Sequence, residues 1–191
     1  MENTKEIVKK ITQLITPLSD EAIAKLSTIL IRTELKKNEQ FLKEGEVFNQ
    51  IAYIEKGMVR QFYYKNNREL TEFFAYDNNM IISIESSFLR KPSQLIIEAL
   101  ENSVIYGILY NKLKEFIKED LELAEFYRKI LEGSLILSQR RIDSFRLESA
   151  TERYTRLLKE HPEIIRRAPL ADIASYLLMT PETLSRVRAS I

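Results

Sequence analysis

Apolar positions along this chain change period twice. Residues 2–31 carry them at helical spacing: Ile7, Ile11 and Leu14, then Ile23, Leu26, Ile29 and Leu30. Pro17 separates the two sets, and Ser19 is placed to cap the second helix. From Thr33 to about Tyr110 the texture shifts to short apolar or aromatic runs. Turn residues punctuate them: Gly45, Gly57, the pair Asn66-Asn67, and Glu101-Asn102 between Ile96-Ile97 and Val104-Ile105. Short strands with turns this frequent predict a compact antiparallel sandwich or barrel, its last two strands paired across Glu101-Asn102.

Helical spacing returns from Asn111 or Lys118 to Phe145, now on two faces. Leu123, Tyr127, Ile130, Ser134 and Leu137 step along one stripe, and Ala124, Leu131, Leu135, Ile142 and Phe145 along another. A surface helix needs one apolar face. Two faces imply two partners, the β region on one side and a second copy of the helix on the other. The seven-residue steps of Leu123, Ile130 and Leu137 nominate the first stripe as a parallel dimer seam. Gly133 weakens the helix interior by about 1 kcal/mol relative to alanine, or marks close approach of a partner. Ser149 and Glu152 then have the spacing of a capping box, which opens a new helix with Tyr154, Leu157 and Leu158 inward. The organisation read from these breaks is a β domain with N-terminal helices (1–110), a connecting helix (111–148) and a C-terminal helical module (149–191).

Composition narrows the chemistry. Of 191 residues 45% are hydrophobic, enough for a real core, and 29 basic residues face 28 acidic ones. The charge is uneven: residues 149–191 hold seven Lys or Arg and five acids. That lean toward a basic C-terminal module is too small to establish nucleic-acid binding by itself. There is no cysteine and one histidine, His161, so thiolate and multi-histidine metal sites are excluded. The same scarcity argues against an enzyme, because neither a Cys-His nor a Ser-His-Asp set can be built in the β region, nor the histidine cluster of a metal-dependent barrel. The charged N-terminus has no signal-peptide core, and no apolar run reaches membrane-spanning length, so a soluble, cytoplasmic protein without a membrane partner is expected.

The most specific stretch is LADIASYLLMTPETLSRVRASI, residues 170–191. It reads as two short helices joined by a tight turn. Thr180 is a good N-cap and Pro181 suits the first helical position, where a missing N–H costs nothing. Ile173, Ala174, Leu177, Leu184 and Val187 fall on the inward stripes. Glu182, Thr183, Ser185, Arg186 and Arg188 are left outward at the start of the second helix. A helix-turn-helix presents such a set to base edges and phosphates in the DNA major groove.

In this order of elements the chain resembles transcription regulators of the Crp/Fnr family over nearly its whole length. The residues carrying the match are YIEKGMVRQFYY (53–64), in the manner of that family's β-roll hairpin, and, more specifically, ERYTRLLKEHPEIIRRAPLADIASYLLMTPETLSRVR (152–188). The resemblance implies an α+β fold: an antiparallel β-roll of the cyclic-nucleotide-binding type with flanking helices, a long dimerisation helix and a C-terminal helix-turn-helix domain. It implies a homodimer on a double-stranded operator, an effector pocket in the β-roll, and RNA polymerase as a partner. The recognition helix would run from Thr180 to Ser190. Glu182 and Arg186 match base-contacting positions, while Thr183 and Arg188 are expected on phosphate, with Thr180, Pro181 and Ser185 beside them. Two departures stand out. Pro181 replaces a second base-reading arginine of some relatives, and Leu178 stands where the inter-helix turn often has glycine.

The resemblance also places the effector pocket around MIISIESSFLRKPSQLIIEAL (80–100), with Glu85, Ser86, Arg90, Ser93 and Gln94 as candidate contacts. Relatives that bind cyclic nucleotides carry a Gly-Glu pair and, downstream, an Arg followed by Ser or Thr. Here Glu85 follows Ile84, and the arginine's place reads Ser93-Gln94-Leu95. A cyclic phosphate without that arginine loses its bidentate charge partner. The effector is therefore unknown, cAMP is not expected, and no other cofactor is. A ligand sensor acting through a protein partner, with a vestigial DNA module, is the alternative that Leu178 and Pro181 would favour.

Overall fold

The computed structural model describes residues 2–191, with side-chain surroundings from Thr4 onward. Two helices open the chain, α1 (Glu2–Ile15) and α2 (Asp20–Ser27). Ser19 caps α2 by accepting the Ala22 N–H at 3.3 Å. Eight short strands follow: β1 (Leu30–Leu35), β2 (Gln40–Leu42), β3 (Gln50–Lys56), β4 (Met58–Lys65), β5 (Arg68–Tyr76), β6 (Met80–Ile81), β7 (Ile96–Ala99) and β8 (Ser103–Leu109). A one-and-a-half-turn helix, α3 (Ile84–Leu89), separates β6 from β7. The strands form two four-stranded antiparallel sheets, ordered β1-β8-β3-β6 and β2-β7-β4-β5. Leu42, Ile54, Val59, Ala75, Ile97 and Ile105 pack between them.

The turn chemistry is legible locally and misleading at longer range. Asn66 and Asn67 both have positive φ, 52° and 59°, the two-residue turn that matches strand twist, and they join β4 to β5 with Lys65 opposite Arg68. The stretch 53–64 is not a hairpin. At Gly57, with φ 103°, the chain leaves one sheet for the other, so β3 and β4 lie in different layers. A Cβ there would run into Ser103, and the Gly57 N–H donates to Asp77 Oδ1 at 2.9 Å. Likewise β7 and β8 do not pair across Glu101-Asn102: β7 joins β2 and β4, and β8 joins β1 and β3. Alternating apolar residues mark a strand but not its partner, because either sheet buries the same inward set.

After β8 come α4 (Tyr110–Phe116) and the long α5 (Leu121–Leu147), so the helical stretch breaks where sequence alone left its start open. Asp120 caps α5 by accepting the Leu123 N–H at 3.1 Å, and Lys25 holds Asp120 at 2.9 Å. With α1, α2 and α4, the first half of α5 covers the outer face of the β1-β8-β3-β6 sheet. Leu123, Phe126 and Ile130 join Ile7, Ile11 and Leu26 there, all buried.

This corrects the expected dimer seam. Leu123 is 0% exposed and Ile130 8%, and the half-buried Tyr127 shares a 3.1 Å hydrogen bond with Tyr110, so none of them is available to a second chain. The stripe is apolar because it packs on its own β-roll. Further along, Ser134 and Leu137 continue the same stripe past the end of that contact and line a cleft. In this second half of α5 both stripes are open, with Leu137 52% exposed beside Leu135 at 72% and Ile142 at 44%.

Candidate nucleic-acid interface and effector cleft

The C-terminal module begins at Ser149, whose side chain accepts the Glu152 N–H while the Glu152 carboxylate accepts the Ser149 N–H. This capping box starts α6 (Ala150–Glu160), and α7 (Pro162–Arg167), α8 (Leu170–Tyr176) and α9 (Pro181–Ala189) follow. Tyr154, Leu157, Ile164, Ile173, Leu177 and Leu184 form the module's core; Leu158, expected inward, is exposed. Ala174 is 0% exposed, small where α8 and α9 approach. His161 sits between α6 and α7, half-buried, its Nδ1 2.9 Å from the Tyr76 hydroxyl, and burial pulls its pKa down.

Thr180 caps α9 by accepting the Thr183 N–H at 3.2 Å, with Pro181 in the first turn. Thr180, Pro181, Glu182, Ser185, Arg186 and Arg188 are exposed, and Thr183 is half-buried. Arg186 reaches back to the Thr183 hydroxyl at 3.4 Å, so the two residues sit side by side on the free face. Hydrogen bonds from its own N–H and from Thr180 hold the Glu182 carboxyl below its ordinary range, so it is an acceptor at neutral pH. The outward set that the spacing indicated is thus gathered on one solvent-facing surface.

The turn between α8 and α9 shows how Leu178 is accommodated. Leu178 adopts left-handed backbone, φ 53°. Its N–H bonds to Ser175 O and the Met179 N–H to Ala174 O, both at 3.0 Å, a Schellman closure that usually carries glycine at this position. A leucine there costs about 1–2 kcal/mol of backbone strain, and with 55% of it exposed little burial offsets that. Leu178→Gly is therefore expected to raise stability in a thermal melt, by up to about 1 kcal/mol after the entropy of a freer unfolded chain is subtracted. Leu178→Val should lower it, since a branched Cβ is worse at positive φ. A loss on Leu178→Gly would mean that the leucine packs in a way its exposure does not show.

Other residues of α8 face the β-roll. The Arg60 guanidinium on β4, 4% exposed, reaches Asp172 on α8 at 2.6 Å, Glu69 on β5 at 2.7 Å and Glu98 on β7 at 3.4 Å. Burial raises the pKa of both Asp172 and Glu98, and the Arg60 charge opposes this only in part. The Thr71 N–H donates to Ser175 Oγ at 2.9 Å, and that hydroxyl donates to Glu69 O at 3.1 Å. Arg167 on α7 forms a second clamp, to Asp77 and Glu101 at 2.5 Å each. Burial lifts the Asp77 carboxyl, but the hydrogen bonds from Arg167 and the Gly57 N–H outweigh it and leave its pKa lowered. None of this was foreseen. The partners of Arg60 are 9 to 112 residues away, and a basic residue inside a strand pattern gives no local sign of them.

A cleft of about 1530 Å³ lies between α3, the second half of α5, the β4-β5 strands and the C-terminal module. Glu85, Ser86, Ser93 and Gln94 line it, and Arg90 does not. Arg90 ends α3 in left-handed backbone, φ 57°, and its guanidinium donates to Asn49 Oδ1 at 2.7 Å. The serines serve the fold. Ser86 Oγ accepts the Phe48 N–H and donates to Lys91 O, while Ser93 Oγ is tied to Ser83 and to both backbone atoms of Leu95. Of the candidates that line the cleft, Glu85 and Gln94 are the exposed ones. Among the described residues no group of three or more His, Asp or Glu is placed to hold a metal ion, and no helix is long and apolar enough to cross a membrane.

No protein-family model matches this chain, and no curated protein matches it. Solved structures do. FixK2 from Bradyrhizobium japonicum superposes with a TM-score of 0.70 at 20% identity, covering 85% of this chain and 84% of that one. A protein of Eubacterium rectale assigned to the Crp/Fnr family gives 0.68 at 18% identity, over 91% and 83%. The c-di-GMP-responsive global regulator CLP of Xanthomonas campestris gives 0.66 at 15%, over 90% and 91%. This chain has the Crp/Fnr fold. In this chain a leucine closes the α8-α9 turn, and the α3 segment's Ser86, with Ser93 beyond it, is taken up by backbone hydrogen bonds.

Proposed function

We propose that this chain is a sequence-specific DNA-binding regulator of transcription, not an enzyme. It would act as a homodimer on a pseudo-palindromic operator and work through RNA polymerase, with an effector other than cAMP. The observation that carries the reading is the exposed face of α9, where Glu182, Ser185, Arg186 and Arg188 stand together on a capped helix. Glu182 suits cytosine N4, Arg186 suits guanine O6 and N7, and Thr183 and Arg188 suit phosphate. The Schellman closure speaks against a vestigial module, because the turn keeps its hydrogen bonds despite Leu178. The dimer contact is assigned to the exposed second half of α5 around Leu135 and Ile142; Ala124 and Leu131 on the same stripe are half-buried. The domain limits proposed are 1–110, 111–148 and 149–191.

Binding-site selection from random duplexes tests this. The expected result is a pseudo-palindrome whose half-sites lie about 34 Å apart along the duplex. Recovery of no enriched sequence at moderate salt would end the proposal. In the selected site, Arg186→Ala should relax preference at one position of each half-site at a cost of about 1–3 kcal/mol. Uniform weakening across all sequences would move Arg186 to phosphate.

A further inference from the structure

Both ends of α7 are pinned to the same end of β5. Arg167, closing α7, reaches Asp77, and His161, just before α7, has its Nδ1 2.9 Å from the Tyr76 hydroxyl. Tyr76 ends β5 and Asp77 follows it. His161 links α6 to α7 with φ −135° and ψ 57°, and its ring does not cap α7. The ring stands edge-on to Tyr76, with centroids 6.2 Å apart, and both residues are half-buried. Beside them Met58 and Phe74 of the β-roll share one apolar cluster with Leu157 and Ile164 of the C-terminal module. The surrounding charges give a proton on the ring little support. Glu160 on α6 favours it, but that carboxylate is exposed and already meets Arg156 at 3.4 Å. Arg156 opposes it. Arg153 on α6 and Arg140 and Arg141 on α5 line the same cleft, as does Tyr176 on α8. Across the junction Arg167 holds both Asp77 and Glu163, and burial raises the pKa of the Tyr76 phenol, which stays a hydroxyl. Burial has the largest influence on the imidazole and pulls its pKa down.

We propose that His161 is an acid-sensitive latch: a proton on its ring releases α7, and the helix pair α8-α9 with it, from the β-roll. A neutral imidazole meets the Tyr76 hydroxyl in either tautomer, accepting in one and donating in the other. The imidazolium can only donate, and it brings charge into a half-buried site beside arginines. Once released, the ring is solvated and holds its proton at the ordinary histidine pKa. The docked arrangement therefore has the full histidine contribution above the ordinary range. It loses that contribution as pH falls through the range to the lower docked value. Asp172 and Glu98 act in the opposite sense, since burial raises their pKa values, and Asp77 responds only in stronger acid. Coupling of docking to protons needs no DNA; that acid also moves the recognition helix rests on the regulator reading.

The test uses the full chain without DNA. His161 is the only histidine in the sequence, so its ring resonances are unambiguous in an NMR titration. They are expected to titrate below the ordinary histidine pKa of about 6.5. Hydrogen exchange, corrected for the intrinsic effect of pH on exchange, reads the docking. From about pH 7.5 to about pH 5.5, protection on α7 and α8 should fall about threefold or more, while β3 and β8 keep theirs. His161→Gln keeps a neutral hydrogen-bonding side chain and should remove the fall. His161→Lys, charged throughout, should give low α8 protection at both pH values, with circular dichroism showing both variants folded. A ring that titrates at or above the ordinary value overturns the proposal. So does α8 protection that does not change with pH, or a fall that persists in His161→Gln. An equal fall in β3 and β8 also overturns it, because the whole chain would then be opening. If site selection fails while the pH response stands, the regulator reading falls and the latch remains.

Discussion

An Arg60→Ala chain should lose about 3 kcal/mol of the docking between the C-terminal module and the β-roll, near the low end for breaking a buried ion pair. Asp172 and Glu98 would be left half-buried with no cation, facing Glu69, which is exposed enough for solvent to screen it. The effect should depend on pH with a definite sign. In the parent chain burial raises the Asp172 and Glu98 pKa values, so the folded state holds those protons more tightly than the unfolded one. That contribution is fully favourable below the ordinary carboxylate range and declines as pH rises through it. Removing Arg60 raises both groups further. The loss is therefore expected to be largest at neutral pH and smaller near pH 5. Urea melts of the parent and Arg60→Ala at both values, with hydrogen exchange read on α8, provide the measurement. Using the difference between the two chains cancels His161, whose lowered pKa works the other way in the same range, and Asp77, whose lowered pKa matters only in stronger acid. An equal loss at both pH values would mean that packing, not charge, is what Arg60 supplies.

The second large effect concerns α5. Replacing Leu135 and Ile142 together by aspartate should turn the proposed dimer into a monomer in sedimentation or light scattering, with the fold intact. Leu135 and Ile142 lie one heptad apart on a face that nothing in the chain covers, and between Gly133 and Arg140 only Ser134 is even half-buried. Burying such side chains stabilises by about 1.5–3 kcal/mol each before the cost of association. Aspartates at both positions would place like charges across the seam instead. Operator affinity should then fall at least about 100-fold, since one recognition helix keeps a single half-site. Leu123→Asp is the contrasting change: that residue is 0% exposed, so the chain should unfold rather than dissociate. A dimer that survives the double change would place the contact elsewhere.

How far the fold could be read before folding depended on the range of each interaction. The helix pair at 170–189 was legible because its determinants lie within a few residues of each other: the Thr180 cap, the Pro181 start, and the inward Ile173, Leu177, Leu184 and Val187. The same holds for the capping box at Ser149 and the Asn66-Asn67 turn. The effector side was less legible. Ser86 and Ser93 look free in sequence, but their hydroxyls are taken by backbone groups of neighbouring segments, Phe48 and Lys91 for one and Leu95 for the other.

Sequence by itself determined the starts of α2, α6 and α9 and the Asn66-Asn67 turn, because caps, prolines and asparagine turns satisfy backbone groups within three or four residues. It also determined that α5 has two apolar stripes. Only the tertiary structure decided which stripe packs on the β-roll, that β3 and β4 part at Gly57 into different sheets, and that Arg60 meets Asp172 across 112 residues. Those outcomes turn on competition among faces that look alike locally, and that competition is settled when the chain closes on itself and one arrangement buries more apolar surface and pairs more charge than the others.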